Sequence, residues 1–387
     1  MRLTRRGGGS MIFGMEKPAK WILMGVLVVV GLVAGVILVK RMCSPYNFTT
    51  NNGTITITKY KGVGGAVEIP RKINGLPVTS IGESAFWNCI SLTSVTIPNS
   101  VTSIGDLAFM YCPLTKVTIP NSVTSIGVEA FFGCQKLTNV SISKSVTNIM
   151  APVFWECPNL TAITVDANNP SYSSVDGVLF NKNQTTLIKH PEGRDGTYTI
   201  PTSVTDIGHD AFLSCTRLTN ITIPTSVTNI GGGAFSQCNL TNITIPASVV
   251  NIGGSAFQDC KRLTSVTIPN SVTSIGDVAF WICDNLTNIT IPESVTNIGM
   301  RAFDGCTKLT AIAVNASNSV YSSVDGILFN KDKTMLIQYP GGKAGSYAIP
   351  TRITIHDVIN NCACENYFYA ICSINRAIMR TYFCRRV

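Results

Sequence analysis

Residues 92–113 read LTSVTIPNSVTSIGDLAFMYCP, and the chain then repeats itself: residues 114–136 are LTKVTIPNSVTSIGVEAFFGCQK, residues 137–159 LTNVSISKSVTNIMAPVFWECPN, and residues 218–239 LTNITIPTSVTNIGGGAFSQCN. A fixed period of about 23 residues is the mark of a stacked-repeat architecture, in which no unit buries its own apolar face and neighbours supply the core. Nine Phe hold the phase (Phe86, Phe109, Phe131, Phe154, Phe212, Phe235, Phe257, Phe280 and Phe303), each followed three positions later by Cys. Two units are one residue short just after the Cys, at Pro113 and Asn239, outside the apolar positions and where a surface turn tolerates a deletion.

Within one unit the alternation Leu92, Val95, Ile97 against outward Thr96 reads as a short strand. Pro98 ends it, having no N–H for a ladder. Val101 and Ile104 form a second apolar stretch before Gly105, and the spacing of Ala108, Phe109 and Cys112 predicts one helical or 3₁₀ turn. Stacking such coils at about 4.8 Å pairs the strands in parallel and lays each Phe on the next.

The motif L-T-x-[VI]-T-I-P-x-S-V-T-x-I-G-x-x-A-F-x-x-C resembles the BspA-like leucine-rich-repeat family over about residues 47–353. The resemblance implies a surface-exposed, right-handed solenoid, and it implies adhesion only weakly, because the family's functions differ. The expected fold is therefore a β-rich α/β leucine-rich-repeat right-handed solenoid of stacked ~23-residue coils, preceded by one N-terminal transmembrane helix.

The membrane segment is residues 21–39, WILMGVLVVVGLVAGVILV, without a charge and long enough as a helix to span roughly 30 Å of hydrocarbon. Lys17 and Lys20 flank one end, Lys40 and Arg41 the other. A signal peptide has an apolar run of about 7–15 residues and a small-residue cleavage site; this run is longer and leads into Lys40-Arg41-Met42-Cys43. An uncleaved anchor is the reading adopted, with a secreted chain as the outcome if it is cleaved. The excess of basic residues before the span keeps the N-terminus cytoplasmic and the repeats outside, although Met11 or Met15 in place of Met1 as the start would reduce that excess. Gly31 and Gly35 form a GxxxG, which does not by itself fix an oligomeric state.

The expected organisation is a cytoplasmic tail (1–20), the membrane helix (21–39), a linker (40–47), an N-terminal capping coil (48–91), the solenoid (92–353) and an atypical tail (354–387). The cap carries the alternating Thr/Ile of a hairpin and would cover the first sheet edge. After Ile353 the motif stops, leaving an amphipathic helical cap or a frameshifted end as open alternatives. Two longer units, 160–201 and 309–350, are offset by 149 residues and share SSVDG[VI]LFN. In the first, residues 177–180 and 186–188 read as strands joined across 181–185.

Charge is low, 13% of residues against 45% hydrophobic, and the net +9 is unevenly placed. Residues 1–41 hold seven basic residues against Glu16, and 351–387 hold five against two acidic, so the body between carries 18 of each sign. A neutral body lacks the clustered positive charge that nucleic-acid binding needs, so no nucleic-acid partner is expected.

Chemistry-bearing motifs are scarce. Only His190, His209 and His356 are present, in no GxSxG, HExxH or phosphate-loop context. Nine of the fourteen Cys belong to the repeat, at a phase that wants a small buried hydrophobe, and are expected as free thiols. Cys362, Cys364, Cys372 and Cys384 lack the paired CxxC spacing of a zinc site. No enzyme, metal or cofactor is expected. Along the strands the outward position that varies from unit to unit is Ser94, Lys116, Asn139, Ala162, Asn220, Asn242, Ser265, Asn288 and Ala311. The candidate binding face is Ser94, Lys116, Asn139, Asn220, Asn242, Ser265 and Asn288, toward an extracellular protein or glycan. A structural spacer or self-associating surface component is the alternative.

Overall fold

A computed structural model describes residues 44–345. The chain divides into two compact units, residues 1–47 and 48–387. The second is a β-solenoid of about 11 stacked coils of ~23 residues. Among the described residues there is no helix, hence none long and apolar enough to cross a membrane. The expected span at 21–39 and the tail at 354–387 lie outside them.

Each coil has three walls. The first is the strand wall, including Leu92–Thr96, Lys116–Thr118, Asn139–Ile142 and Ala162–Val165, with strands in parallel register: Lys116 opposes Asn139, and Asn139 opposes Ala162. The Pro after the strand opens a corner turn, Val101 N–H donating to Pro98 O at 3.0 Å. In the later coils the corner Ser donates to the Val carbonyl of the coil before, as Ser226 does to Val204 O at 2.7 Å. The second wall is a ladder of two-residue strands such as Ser103–Ile104 and Ser125–Ile126, with Ile104 opposite Ile126.

The third wall corrects the expectation of a helical or 3₁₀ turn, and with it the α component of the fold class. Between Gly105 and Cys112 the N–H groups alternate in direction. Leu107, Phe109 and Tyr111 donate to the next coil (Val128 O, Ala130 O and Phe132 O, 2.8–2.9 Å), while Met110 and Cys112 close turns on Leu107 O and Phe109 O at 3.1 Å. Leu107 (φ 57°) and Tyr111 (φ 59°) are left-handed, which interrupts any helix after a few residues. A staircase of β-turns results, and it behaves as a third parallel ladder. The glycine opening it is required by close approach: a Cβ on Gly276 would lie 2.3 Å from Gly254 N.

Inside, the Phe side chains stack as expected, with ring centroids 5.0–5.7 Å apart from Phe86 to Phe154 and from Phe212 to Phe303. Tyr60 extends the column at its start, 5.1 Å from Phe86. In the first long coil His190 takes the place of Phe and stacks on Phe212 at 5.1 Å, a substitution that the repeat motif does not reveal. The repeat Cys are free, and all but half-buried Cys89 are buried. Most donate to the Phe carbonyl of the coil before, for instance Cys260 Sγ to Phe235 O at 3.1 Å. The motif thus uses Cys as a small apolar filler with one weak donor, S–H, for a carbonyl that its own coil leaves a lone pair on.

The long units contain one strand more than expected. Tyr172–Val175, Val178–Asn181 and Thr186–Lys189 form an antiparallel meander. The first turn is Asp176-Gly177, both at positive φ (49° and 75°), as a two-residue hairpin loop demands. The second meander, Tyr321–Val324, Ile327–Asn330 and Leu336–Gln338, repeats it. At the N-terminal end, strands Tyr46–Asn51 and Thr54–Tyr60 form the expected hairpin, and the latter pairs in parallel with Leu76–Ile81.

Candidate functional site

The outward strand column holds the positions that vary. Lys116, Asn220, Asn242, Ser265 and Asn288 are exposed, and Ser94 and Asn139 are half-buried. Register brings the pairs together: Ser94 opposes Ala66, Lys116 opposes Asn139, Thr197 opposes Asn220, Asn242 opposes Ser265, and Asn288 opposes Ala311. In the later coils the alternation is complete: Asn242, Thr244 and their equivalents face solvent while Ile243 and Ile245 are buried. The result is a flat ladder of small amide and hydroxyl groups about 4.8 Å apart, with Lys116 the one charge among these positions. It offers many weak hydrogen bonds and no large anchor.

A second exposed column was not foreseen. On the turn wall of the first coils, aromatic residues one or two places after the repeat Phe lie on the outer side: Trp87 is 53% exposed and Tyr111 40%, Trp155 is half-buried, and Phe132 is buried between Tyr111 and Trp155. The signal lies in the sequence as Phe-Trp, Phe-Met-Tyr, Phe-Phe and Phe-Trp.

The third cluster sits where the first long coil enters the stack. Lys189 Nζ lies 3.4 Å from Glu192 Oε1, both buried, and Lys189 also donates to Leu213 O of the next coil at 3.2 Å. Burial raises the Glu192 carboxyl to about 6, against the opposing pull of Lys189 and the backbone N–H groups of Cys157 and Glu156. His190 Nδ1 is 3.5 Å from Cys215 Sγ. That contact has the composition of a nucleophile–base pair but the opposite electrostatics. Burial raises the thiol to about 12 and lowers the imidazole to about 3, its fall assisted by Arg194 and Lys189. A catalytic thiol needs its thiolate stabilised and needs access, so this pair is a packing contact. At the equivalent points of the second long coil stand Gln338, Tyr339 and Gly341, which keep the fold without the charges. His209, far more exposed, pairs with its neighbour Asp210 at 2.7 Å. Among the described residues no group of three or more His, Cys, Asp or Glu is placed to hold a metal ion.

A parallel solenoid with a leucine-anchored strand, a Phe–Cys turn and a 23-residue period defines a leucine-rich-repeat protein. The sequence matches the BspA type leucine rich repeat region in six copies, over residues 67–186 and 196–321, and the chain belongs to that family. A leucine rich cell surface protein from Faecalibacterium prausnitzii A2-165 is similar to it at 31% identity, with a TM-score of 0.50 over 72% of this chain and 95% of that one. A leucine-rich repeat protein from Eubacterium ventriosum is 26% identical, with a TM-score of 0.57 over 81% and 96%. No curated protein sequence matches the chain.

Proposed function

We propose that the protein is a membrane-anchored, surface-displayed binding or adhesion module, held by residues 21–39 with the solenoid on the extracytoplasmic side. The observation that carries this reading is the division of labour within each coil. The inward Leu, Val, Ile, Phe and Cys barely change, while the strand column Ser94, Lys116, Asn139, Asn220, Asn242, Ser265, Asn288 changes along a rigid stack. Variation along an exposed column of a constant scaffold is what a repeat protein needs to recognise an extended partner. The similarity to a cell surface protein of Faecalibacterium prausnitzii supports the location. With small polar groups alone on that column, affinity per site is modest and gains from multivalency. The test is a screen of the full chain, in detergent, against extracellular-matrix proteins and a glycan array. Retention of one of them, lost when Asn220, Asn242 and Asn288 are changed to Ala, is expected; no ligand held above a scrambled-column control would defeat the reading.

The low charge of the strand wall also suits a spacer or self-associating surface component. Concentration-dependent assembly of the full chain in light scattering, with no ligand retained, would favour that alternative.

A further inference from the structure

The turn wall differs from the strand wall in chemistry, and its two halves differ from each other. In the first half, segments 82–89, 105–112, 127–134 and 150–157 (GESAFWNC, GDLAFMYC, GVEAFFGC and MAPVFWEC) carry Glu83, Asp106, Glu129 and Glu156 and no Lys, Arg or His. Interleaved with them is the aromatic row. Tyr111 meets Phe132 edge to face at 5.3 Å, and Phe132 meets Trp155 in the same way at 5.1 Å. Gly133 makes room for this row, since a Cβ there would fall 2.3 Å from Tyr111 Cδ1.

In the second half three of the four carboxylates on the same wall are paired, and the fourth, Asp277, accepts the Met300 N–H at 2.7 Å. Asp210 pairs with His209 at 2.7 Å, Asp259 with Lys261 at 3.2 Å and Asp304 with Arg301 at 3.0 Å. Trp281, at the position of Trp87 and Trp155 in the repeat, carries the Arg301 guanidinium 6.0 Å from its ring centroid. The coil after Trp87 has Leu107 where the coil after Trp281 has Arg301. Among the described residues Glu83, Asp106, Glu129 and Glu156 have no cation within ion-pair distance, and Asp106 spends one oxygen on Val128 N–H at 2.8 Å. The first half therefore presents rings and carboxylates without the arginine that the second half supplies to itself.

We propose that the outward turn wall of residues 82–157 binds an arginine-bearing segment of a partner protein, guanidinium groups lying over Trp87, Tyr111 and Trp155 and pairing with the adjacent carboxylates. This deepens the reading of the chain as a binding module and rests on it. Arginine suits the site because its plane stacks on aromatic faces while its edge meets carboxylates.

The test is fluorescence anisotropy with the full chain in detergent and a labelled Arg-Gly-Arg-Gly-Arg-Gly-Arg peptide, against the same peptide with neutral citrulline for arginine. The arginine peptide should bind at least tenfold tighter than its citrulline twin. Trp87→Ala with Tyr111→Ala should weaken it about tenfold, and Glu83→Gln with Glu156→Gln, which keep the rings, several-fold. Trp281→Ala, whose ring already carries Arg301, should leave binding unchanged. Equal binding of both peptides, undiminished binding by the two double variants, or a neutral glycan taking this face in place of the arginine peptide would overturn the proposal. The matrix-protein and glycan screen on the same preparation separates the two levels. A ligand retained there with no arginine-peptide binding sinks this inference alone, and silence in both assays sinks the binding-module reading with it.

Discussion

The hydroxyl of Tyr172 accepts the backbone N–H of Ile149 at 3.0 Å, and 149 residues later Tyr321 does the same for Ile298 at 2.9 Å. In each case the short-strand ladder stops and a meander takes over, so the last N–H of the ladder would otherwise face no carbonyl. Asn169 completes the splice. Fully buried, it donates to Ser143 O and Val146 O and accepts from Ser171 and Tyr172 N–H, all at 2.8–2.9 Å; Asn318 repeats the set. Removing one partner of a buried hydrogen bond costs about 1–3 kcal/mol. Tyr172→Phe should lose about 1 kcal/mol and Asn169→Ala clearly more, because four bonds go at once. Urea denaturation of both variants checks the order; equal losses would show that the four amide bonds hold the splice no more strongly than the one hydroxyl bond.

The Phe column makes stability a neighbour-by-neighbour property. Phe257 is sandwiched between Phe235 and Phe280, at 5.4 and 5.1 Å, with 1% of its surface exposed. Phe257→Ala should cost about 3–5 kcal/mol. Because coils touch only the coils beside them, hydrogen exchange should accelerate around residues 230–285 and hardly at all near Phe109. A uniform rise in exchange along the chain would contradict this.

Acid sensitivity should centre on His190. Its folded pKa is lowered to about 3 from 6.5, so between those values the unfolded chain takes up a proton that the folded one refuses, and stability falls as pH drops through that window. Glu192, raised to about 6 from 4.5, works the other way: its ionised form is disfavoured in the fold, so its contribution improves as pH falls from 6 toward 4.5 and partly masks the histidine. His190→Phe, restoring the residue of the repeat, should remove the first effect. The stability difference between the variant and the parent should then grow by about 2 kcal/mol from pH 7 to pH 4.5, measured by denaturation at each pH.

Val278 stands in the left-handed region at φ 50°, where a β-branched residue is strained. Other coils place Ser84, Leu107, Glu129, Asp210, Gly233, Ser255 or Arg301 at this step, each also at positive φ and none β-branched. Val278→Asn should stabilise the chain by about 1 kcal/mol, visible as a higher denaturation midpoint. A loss instead would mean that the Val side chain packs better than its backbone suffers.

Thiol reactivity should single out Cys89. It is the half-buried member of the column, and the Cys112 thiol beside it lowers its pKa, whereas burial raises Cys134, Cys215 and Cys260 to about 12. In a chain with Cys43 and the four tail cysteines replaced by Ser, an aromatic disulfide reagent should label one thiol quickly at pH 7.5 and the rest only in denaturant. Cys89→Ser should abolish the fast phase.

The amino-acid sequence alone determined the coil. Identical inward residues every 23 positions leave stacking as the only way to bury them, so the Phe column, the parallel strands and the free buried thiols were all legible in Leu92 to Cys112. The Asp176-Gly177 hairpin has a sequence signal too, an Asp-Gly between strand-forming residues, but the strand before it, Tyr172–Val175, is mostly polar and hides it. Tertiary structure decided the rest. That His190 fills a Phe position, or that Lys189 and Glu192 pair in the interior, depends on which coil lands on which across an irregular long unit, and local pattern carries no such information. The turn wall shows it most plainly. Left-handed residues at Leu107 and Tyr111 break the helix that spacing alone suggests, send alternate N–H groups to the next coil, and so hold the coils at the spacing where Tyr111, Phe132 and Trp155 meet edge to face. The residues were always in the sequence; only the backbone path makes them a surface.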